Sequence, residues 1–497
     1  MNEIELKFQV PAAKRQALLR ALTQTKGKAK ANVKTLRLQA QYFDTPDQRL
    51  AKAHVSLRLR QEGDAWVQTL KCPGENRWTR LEHEVPRAAD SGEPALDVAL
   101  HAGTAAGDQL AAALGDQAAR LQVYYATDVQ RTLRVLRSTG VQAEVALDVG
   151  EIRADGDRRE LHEIEFELKS GSVEALVALA ARWVERHGLW VDVISKAERG
   201  QQLARHASAV APMYAQEMVL KEPYSPDAAL RQMVGACLAH LLPNAAEVAG
   251  GVAQPEHVHQ TRVALRRLRT ALRIYGDWSP AVDADWESAL AMLFGQLGGV
   301  RDRDALEADL LPALRAAGAP LAELPAEAAG PAIDEVLRAP ATTRLWLALI
   351  AFSQAAPAPN ETPPSEGAEE GLRALAAARL DHLHSQLAKD AKSYADFADE
   401  QRHRTRRRLK RLRYAIEFAA SLFRAKKVEA YVQRLKPAQD ALGEYNDLVV
   451  AEQAFTQLLP AQPEAWFALG WLAAQRKALL DASEHRLGKW AKKPGFW

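Results

Sequence analysis

Glu3-Ile4-Glu5-Leu6-Lys7-Phe8 alternates charged and apolar residues without interruption. Side chains on an extended strand point alternately to opposite faces. The spacing therefore predicts a strand with Ile4, Leu6 and Phe8 on one side and Glu3, Glu5 and Lys7 on the other. The apolar side belongs to a core. The ionised side has two readings: a polar sheet face in water, or a wall that holds ions and a ligand. One hexapeptide does not separate them.

The strands that follow do. Val55-Ser56-Leu57-Arg58-Leu59-Arg60 sets Arg58 and Arg60 on one face, and Ala65 to Lys71 sets Thr69 beside Lys71. Arg80-Leu81-Glu82-His83-Glu84-Val85 groups Arg80, Glu82 and Glu84. An extended Val123 to Leu136 carries Arg131 and Arg134, and Ser138-Thr139-Gly140 turns it into Gln142 to Val149, with Glu144 and Asp148 together. Glu163-Ile164-Glu165-Phe166-Glu167-Leu168-Lys169 is the densest case. Helices are expected over Val10 to Leu22, Asp108 to Leu121 and Val173 to His187, with a further short one beside Ser195-Lys196. A sheet that shows its polar face to water has no need of Arg-x-Arg against Glu-x-Glu. Curling the sheet so that the ionised faces point inward gives a barrel or tunnel lined by both signs. Charges withdrawn from water must be paired, or must hold an ion and a ligand. This set suits a polyanion, because Arg and Lys grip phosphate oxygens while clustered acids hold a hard divalent cation.

The chain has 497 residues, room for two or three domains, and its 47% hydrophobic and 26% charged residues describe a soluble globular protein. A formal net charge of +2 leaves any polyanion binding to local clusters. Cys72 and Cys237 stand far apart, which fits a reducing compartment and offers neither a disulfide framework nor a thiolate metal site. No run approaches the ~20 apolar residues of a membrane span, and the charged start is no cationic leader, so a cytoplasmic location is expected.

After a linker from Ala207 to Tyr224 the chain reads as helical and duplicated. His259-Gln260-Thr261-Arg262 and the residues through Ala271 recur as His403-Arg404-Thr405-Arg406 through Ala415. Leu297-Gly298-Gly299-Val300-Arg301-Asp302 recurs as Leu442-Gly443-Glu444-Tyr445-Asn446-Asp447. Pro-rich Ala355 to Gly371 marks the seam and is expected to be disordered. The domains are thus 1–206, a linker 207–224, a first bundle 225–354, the seam 355–371 and a second bundle 372–497. At helical spacing His259, Arg262, Arg266, Arg269 and Arg273 share about a quarter of the circumference, as do His403, Arg406, Lys410 and Arg413. A solvated basic face is one reading. A stripe free of interleaved acids and present in both copies favours a polyanion surface. Aromatic residues interleaved for base stacking are missing from the stripe, which counts against nucleic acid as that polyanion. The two histidines are ligands or structural groups; the spacing leaves both open.

Taken together and in order, Glu3-Ile4-Glu5-Leu6-Lys7, Tyr42-Phe43-Asp44-Thr45, Leu57-Arg58-Leu59-Arg60, Thr69-Leu70-Lys71, Arg80-Leu81-Glu82, Arg131, Leu147-Asp148, Glu163-Ile164-Glu165 and Ser195-Lys196 resemble the CYTH family, the triphosphate tunnel metalloenzymes, over residues 1 to about 205. The resemblance implies an eight-stranded antiparallel tunnel that hydrolyses a linear triphosphate, such as inorganic tripolyphosphate, with Mg2+ or Mn2+. It implies that Lys7, Arg58, Arg60, Lys71, Arg80, Arg131 and Lys196 bind phosphate, and that Glu3, Glu5, Asp148, Glu163 and Glu165 hold metal or orient water. Glu82 is a further lining acid. The direct catalytic set is then Glu5, Lys7, Glu82, Arg58, Arg60 and Lys196. Which two of Glu163, Glu165 and Glu167 hold metal stays open. With no Ser-His or Cys-His nucleophile and no P-loop, water is the expected attacker. Residues from about 218 to 490 resemble the CHAD family, whose members accompany CYTH domains and associate with polyphosphate. The implied fold class is α+β, an antiparallel β-barrel tunnel followed by an all-α duplicated helical bundle, located in the cytoplasm or at polyphosphate granules. Two alternatives stand beside the triphosphatase: a tunnel that cyclises ATP or cleaves thiamine or nucleoside triphosphates, and a non-enzymatic granule scaffold.

Overall fold

A computed structural model describes residues 4–23, 33–74, 80–88, 92–222, 224–298, 310–320, 332–355 and 367–497. They group into two compact units. One joins Met1–Met213 to Leu242–His257 and Ile333–Ala351; the other joins Tyr214–Leu241 to Val258–Ala332 and Phe352–Trp497.

The first unit is built on nine strands: β1 Glu5–Gln9, β2 Val33–Asp44, β3 Ser56–Glu62, β4 Ala65–Pro73, β5 Arg80–Arg87, β6 Gln122–Ser138, β7 Val141–Ala154, β8 Asp157–Gly171 and β9 Trp190–Val191. They form one antiparallel sheet in the order β5-β4-β3-β2-β6-β7-β8-β1-β9. Its helices are α1 Arg15–Thr23, α2 Arg49–Lys52, α3 Ala105–Leu114, α4 Val173–His187 and α5 Lys196–Ala204. The opening strand follows its alternation. Leu6 and Phe8 are buried, while Glu5 stands opposite Glu167 and Lys7 opposite Glu165 on β8.

The expected closed barrel is an open, curled sheet. Among the described residues β5 and β9 end it and do not pair with each other, and β9 is only two residues long. Register irregularities interrupt the β2–β6 pairing at Tyr42/Phe43 and the β7–β8 pairing at Gln142/Ala143, the kind of feature at which a sheet bends. The curl is deep enough that Lys71 on β4 lowers the pKa of Glu5 on β1, although five strands lie between them in the sheet order.

The inward face changes character along each strand. Around the middle it is ionised, with Arg131, Asp148 and Glu163. Farther along the same faces it is apolar, and Leu38, Ala40, Tyr42, Tyr125, Val129, Ile152, Ala154 and Leu161 form one buried cluster. Ala197, Leu203 and Ala204 of α5 pack against that cluster, so α5 fills one end of the curled sheet. This accounts for Arg131 lying in register with apolar Val129: both point inward, one to the cavity and one to the helix. The outer face is covered in part by α3, whose Ala106, Leu110 and Leu114 pack on Leu57, Leu70 and Cys72.

Helices α6 Pro226–Ala249, α7 Pro255–Tyr275, α8 Trp286–Gln296, α9 Leu311–Ala316, α10 Ile333–Arg338, α11 Pro340–Gln354, α12 Ala368–Lys392, α13 Asp399–Ala419, α14 Ala425–Leu458 and α15 Ala465–Ala491 complete the chain, making the architecture α+β. In the second unit the two repeated basic helices pack together. Tyr275 of α7 donates its hydroxyl hydrogen to the Ala415 carbonyl of α13 (3.0 Å), and Arg267 pairs with Glu417 (2.7 Å). Of the seam expected to be disordered over 355–371, residues 356–366 lie outside the described residues, but from Ala368 onward it is already helical, as the first turn of α12; the repeat block beyond Gly298 also lies outside the described residues. No helix of the described residues is long and apolar enough to cross a membrane.

Docking of α5 depends on Gly200. A Cβ there would meet the Tyr125 ring at 2.2 Å. Gly200→Ala is therefore expected to destabilise the fold by about 1–3 kcal/mol, since overpacking displaces either the helix or the ring; a thermal melt of the two proteins measures it, and an unchanged midpoint would contradict the close approach.

Candidate functional site

The curled sheet encloses a cavity of about 420 Å³, within the range of small-ligand sites. Its cationic wall comes from β3 and β4, where alternation delivers Arg58, Arg60 and Lys71 inward. Arg58 donates to the Tyr42 hydroxyl (3.3 Å), and Tyr42 stacks on Tyr125 with ring centroids 4.6 Å apart. Lys71 pairs with Glu82 of β5 at 2.8 Å. Glu84 accepts from the Thr69 hydroxyl (3.0 Å) and lies 3.5 Å from Arg60 and 3.8 Å from Arg58.

The acidic wall comes from β7 and β8. Asp148, Glu163 and Glu165 each offer an oxygen within 4.8 Å of the other two. Lys196, the first residue of α5, sets its ammonium among them, 2.8 Å from Asp148, 2.7 Å from Glu165 and in contact with Glu163. Arg131 reaches Asp148 and Glu165, each at 2.6 Å. Lys7 lies 3.3 Å from Glu163 and donates to the Ile194 carbonyl.

Their titration follows from these neighbours. Burial works to raise the pKa of Glu165, but Lys196 and Arg131 outweigh it and hold the carboxyl well below its usual range. Burial wins at Glu163, whose pKa is raised against Lys196 and Lys7. Lys196 and Arg131 are raised in turn by the acids, against their own burial. Glu5 is enclosed by protein yet open to the cavity's water; burial first and then Glu165 raise its pKa to about 7. Nine carboxylates and six lysines and arginines are found among the described residues lining the cavity. That excess of negative charge would repel a triphosphate. Three clustered carboxylates are the hard oxygen donors that a divalent cation such as Mg2+ or Mn2+ takes, so the residues fit such an ion and it would redress the balance.

Of the residues expected in the tunnel, Glu5, Lys7, Arg58, Arg60, Lys71, Glu82, Arg131, Asp148, Glu163, Glu165 and Lys196 all line this one cavity. Glu3 lies outside the described residues, and Arg80 opens β5 opposite Pro73. Glu5 lines the cavity but does not belong to the three-acid cluster, which contains Glu163 and Glu165 and not Glu167. Glu167 instead lies 2.5 Å from Lys169. Tyr42 was visible only as part of the Tyr-Phe-Asp-Thr motif. Its neighbour Asp44 has a structural task, accepting from the backbone amides of Thr45, Leu50 and Ala51.

The basic helices are less uniform than their sequence. Arg262 is buried and donates to the Leu297 (3.0 Å) and Gly298 (2.6 Å) carbonyls at the end of α8. Arg262, Arg266 and Arg269 lie 5.1, 5.2 and 5.7 Å from the centre of the Phe294 ring. Acids do reach the stripe. Glu287 pairs with Arg269 (3.0 Å) and Arg273 (2.7 Å), Glu417 with Arg413 one turn away (3.0 Å), and Asp447 with Arg406 (3.5 Å). His403 is fastened to Asn446, while His259 is half-buried on α7. Like charges crowd at Lys410 within the stripe and at Arg411 beside it. Burial, then Arg406 and Arg266, push Lys410 down to about 7, and burial, then Arg273, push Arg411 down to about 10. The duplication explains the second case: the repeat that equates Arg267 with Arg411 also equates Arg273 with Glu417. Arg267 meets Glu417 as an ion pair, and its counterpart Arg411 meets Arg273 as a like-charge pair.

Comparison with known proteins agrees with the two halves. The CYTH domain family matches residues 1–200 and the CHAD domain family residues 232–456. An inorganic triphosphatase of Haemophilus influenzae is 33% identical over 165 residues, which are 33% of this chain and 44% of that protein, so the chain spans less than half the length of this relative. Among solved structures, the CHAD domain from the plant Ricinus communis is similar over 56% of this chain and 96% of that one, with 30% identity and a TM-score of 0.43. A putative adenylyl cyclase from Hippeastrum, described as having a dominant triphosphatase activity, is similar over 41% of this chain and 96% of that one, with 19% identity and a TM-score of 0.31.

The raised pKa of Glu5 gives a signed expectation for the protein kept free of metal by a chelator. A carboxyl that binds its proton more tightly when folded contributes stability that is present below its ordinary pKa of 4.5 and lost as pH rises through about 7. Melting temperatures of the wild type relative to Glu5→Gln should therefore fall across that window, and parallel curves would count against the shift.

Proposed function

This chain carries a CYTH domain joined to a CHAD domain, and from that premise we propose that its cavity hydrolyses a linear triphosphate, inorganic tripolyphosphate above all, with a divalent cation. The observation that carries this is the opposition of two walls in one cavity. Arg58, Arg60 and Lys71 stand on β3 and β4, and Asp148, Glu163 and Glu165 stand on β7 and β8. Phosphoryl transfer to water asks for positioning and charge neutralisation more than for covalent help.

Asp148, Glu163 and Glu165 would hold the cation, which supplies charge neutralisation at the phosphates and a polarised phosphorus–oxygen bond. Arg58, Arg60 and Lys71 exchange Glu84 and Glu82 for phosphate oxygens when substrate enters, and Tyr42 keeps Arg58 in place from behind. With a cation held by the three acids, Lys196 would offer its ammonium to the anion from its place beside them. Lys7 and Arg131 complete the cationic surround. Glu5, which lines the cavity beside the three-acid cluster without belonging to it, can accept a proton from the attacking water. The charged lining matches phosphate oxygens, and apolar packing of α5 closes that end of the cavity to an organic base, so the bare triphosphate is preferred over ATP or thiamine triphosphate.

In the helical half, Lys410 and Arg411 with Arg266 and Arg273 form the polyanion surface. Crowded like charges are relieved by an anion rather than by solvent, which favours inorganic polyphosphate as the ligand.

Phosphate release tests the first part. Tripolyphosphate with Mg2+ or Mn2+ should outpace ATP and thiamine triphosphate, chelator should abolish turnover, and Glu165→Gln should lower kcat/KM by about a hundredfold. Cyclic AMP from ATP would favour a cyclase, and no turnover of any of them would favour a scaffold. Titration with long-chain polyphosphate at several salt concentrations tests the second. Lys410→Gln or Arg411→Gln should weaken binding and lower the slope of log K against log salt by about one; equal affinities would place the polyanion elsewhere.

A further inference from the structure

The cavity's cationic groups are held from behind by a buried chain of charges. Between β9 and α5, the Asp192 amide donates to the Lys7 carbonyl (3.0 Å), and the Gln9 side chain donates to the Asp192 carboxylate (2.8 Å). The other Asp192 oxygen accepts from the Ile194 amide (2.8 Å), in the same loop whose Ile194 carbonyl accepts from the Lys7 ammonium. Asp192 is held in turn by Arg199 of α5 (3.0 Å). Arg199 pairs at its other amino group with Glu247 of α6, and the second Glu247 oxygen accepts from the Val210 amide (2.9 Å). The side chains of Asp192, Arg199 and Glu247 are 1%, 7% and 1% exposed.

Glu247 comes from Leu242–His257, a segment of the helical half of the sequence that packs in the same compact unit as the curled sheet. A second segment, Ile333–Ala351, packs there too and lends Ile350 to the cavity lining. Arg199 lies one turn beyond Lys196 on α5, a helix that also packs Ala197, Leu203 and Ala204 on the sheet and brings Gly200 close to the Tyr125 ring. A helix of this kind moves as a body. Removing the Glu247 charge leaves the Arg199 guanidinium buried with one of its two acids gone, an imbalance that a shift of α5 would relieve. Any such movement carries Lys196 off Asp148, Glu163 and Glu165. A pair that merely fastened two elements together would have no reason to end one turn from the ammonium at the centre of the acid cluster.

We infer that Glu247 is a positioning residue for the cavity: through Arg199 it sets where Lys196 stands over Asp148, Glu163 and Glu165, so that the chemistry depends on a carboxylate supplied from the CHAD part of the chain. This rests on the triphosphatase reading above. The experiment uses the full chain and compares wild type with Glu247→Gln, Glu247→Asp, Lys196→Met and the double variant Lys196→Met/Glu247→Gln, following phosphate release from tripolyphosphate with Mg2+ or Mn2+. Displacement of a catalytic group by a fraction of an ångström should lower kcat of Glu247→Gln by about tenfold with KM changed much less. Glu247→Asp, which keeps the charge, should recover most of the loss. In the Lys196→Met background the glutamine should cost nothing further, because the group it positions is gone. Arg199→Lys, which cannot span both acids, is expected to behave as Glu247→Gln does and stands in for it if that variant fails to fold. Wild-type kcat in Glu247→Gln, or losses that multiply in the double variant, would overturn the inference while leaving the proposed function intact. Absence of phosphate release from the wild type would overturn the proposed function, and this inference with it.

Discussion

Everything in the first unit answers to one electrostatic constraint. Among the described residues, nine carboxylates and six cations line one cavity, and charges drawn partly out of water need partners before any ligand arrives. The partners are internal: Lys196 and Arg131 on the three acids, Lys71 on Glu82, and Glu84 between Arg58 and Arg60. Because every pair joins one sign to the other, the cation and the anion of the proposed function would each find a matching set ready to exchange partners. The site is thus preorganised without being locked.

The sheet alone does not create that arrangement. An open sheet with two edges keeps its curl because α5 occupies one end, packing apolar residues on the inward faces of β2, β6, β7 and β8. The same helix begins with Lys196 and carries Arg199 a turn later. Shape, charge and anchorage therefore meet in nine residues. The capping box formed by Ser195 and Glu198 fixes where that helix starts, and with it the residue that reaches the acids.

Much of this was legible in the alternation of strand residues. Period-two spacing put Arg58 with Arg60, Thr69 with Lys71 and Glu163 with Glu165 on common faces, and the structure brings those faces together. Where the spacing failed, a third element had intervened. Val129 and Arg131 share a face although one is apolar and one charged, because α5 covers the first and the cavity receives the second; no local pattern carries that information. The hairpin at Asp155-Gly156, with φ of 46° and 85°, extends β7 and β8 well beyond the ends expected for them, although Asp-Gly is a turn signal in its own right. In the helical half the repeat was plain, but the partners of its arginines were not. Glu287 comes from another helix, and the Leu297 and Gly298 carbonyls that occupy Arg262 are backbone groups, which no side-chain pattern discloses. Glu247 gave no sign at all, since it sits in an alanine-rich helix far along the chain from the lysine it serves.

Duplication ordinarily yields two copies of every contact, yet Arg267 with Glu417 and Arg273 with Arg411 are the same contact resolved in opposite ways. A single glutamate in one copy secures the bundle, which releases the other copy from that duty. A chain made perfectly symmetric would be forced to choose: with glutamate at both positions each arginine would have an acid opposite it, and with arginine at both the one ion pair would be lost and the like-charge contact doubled.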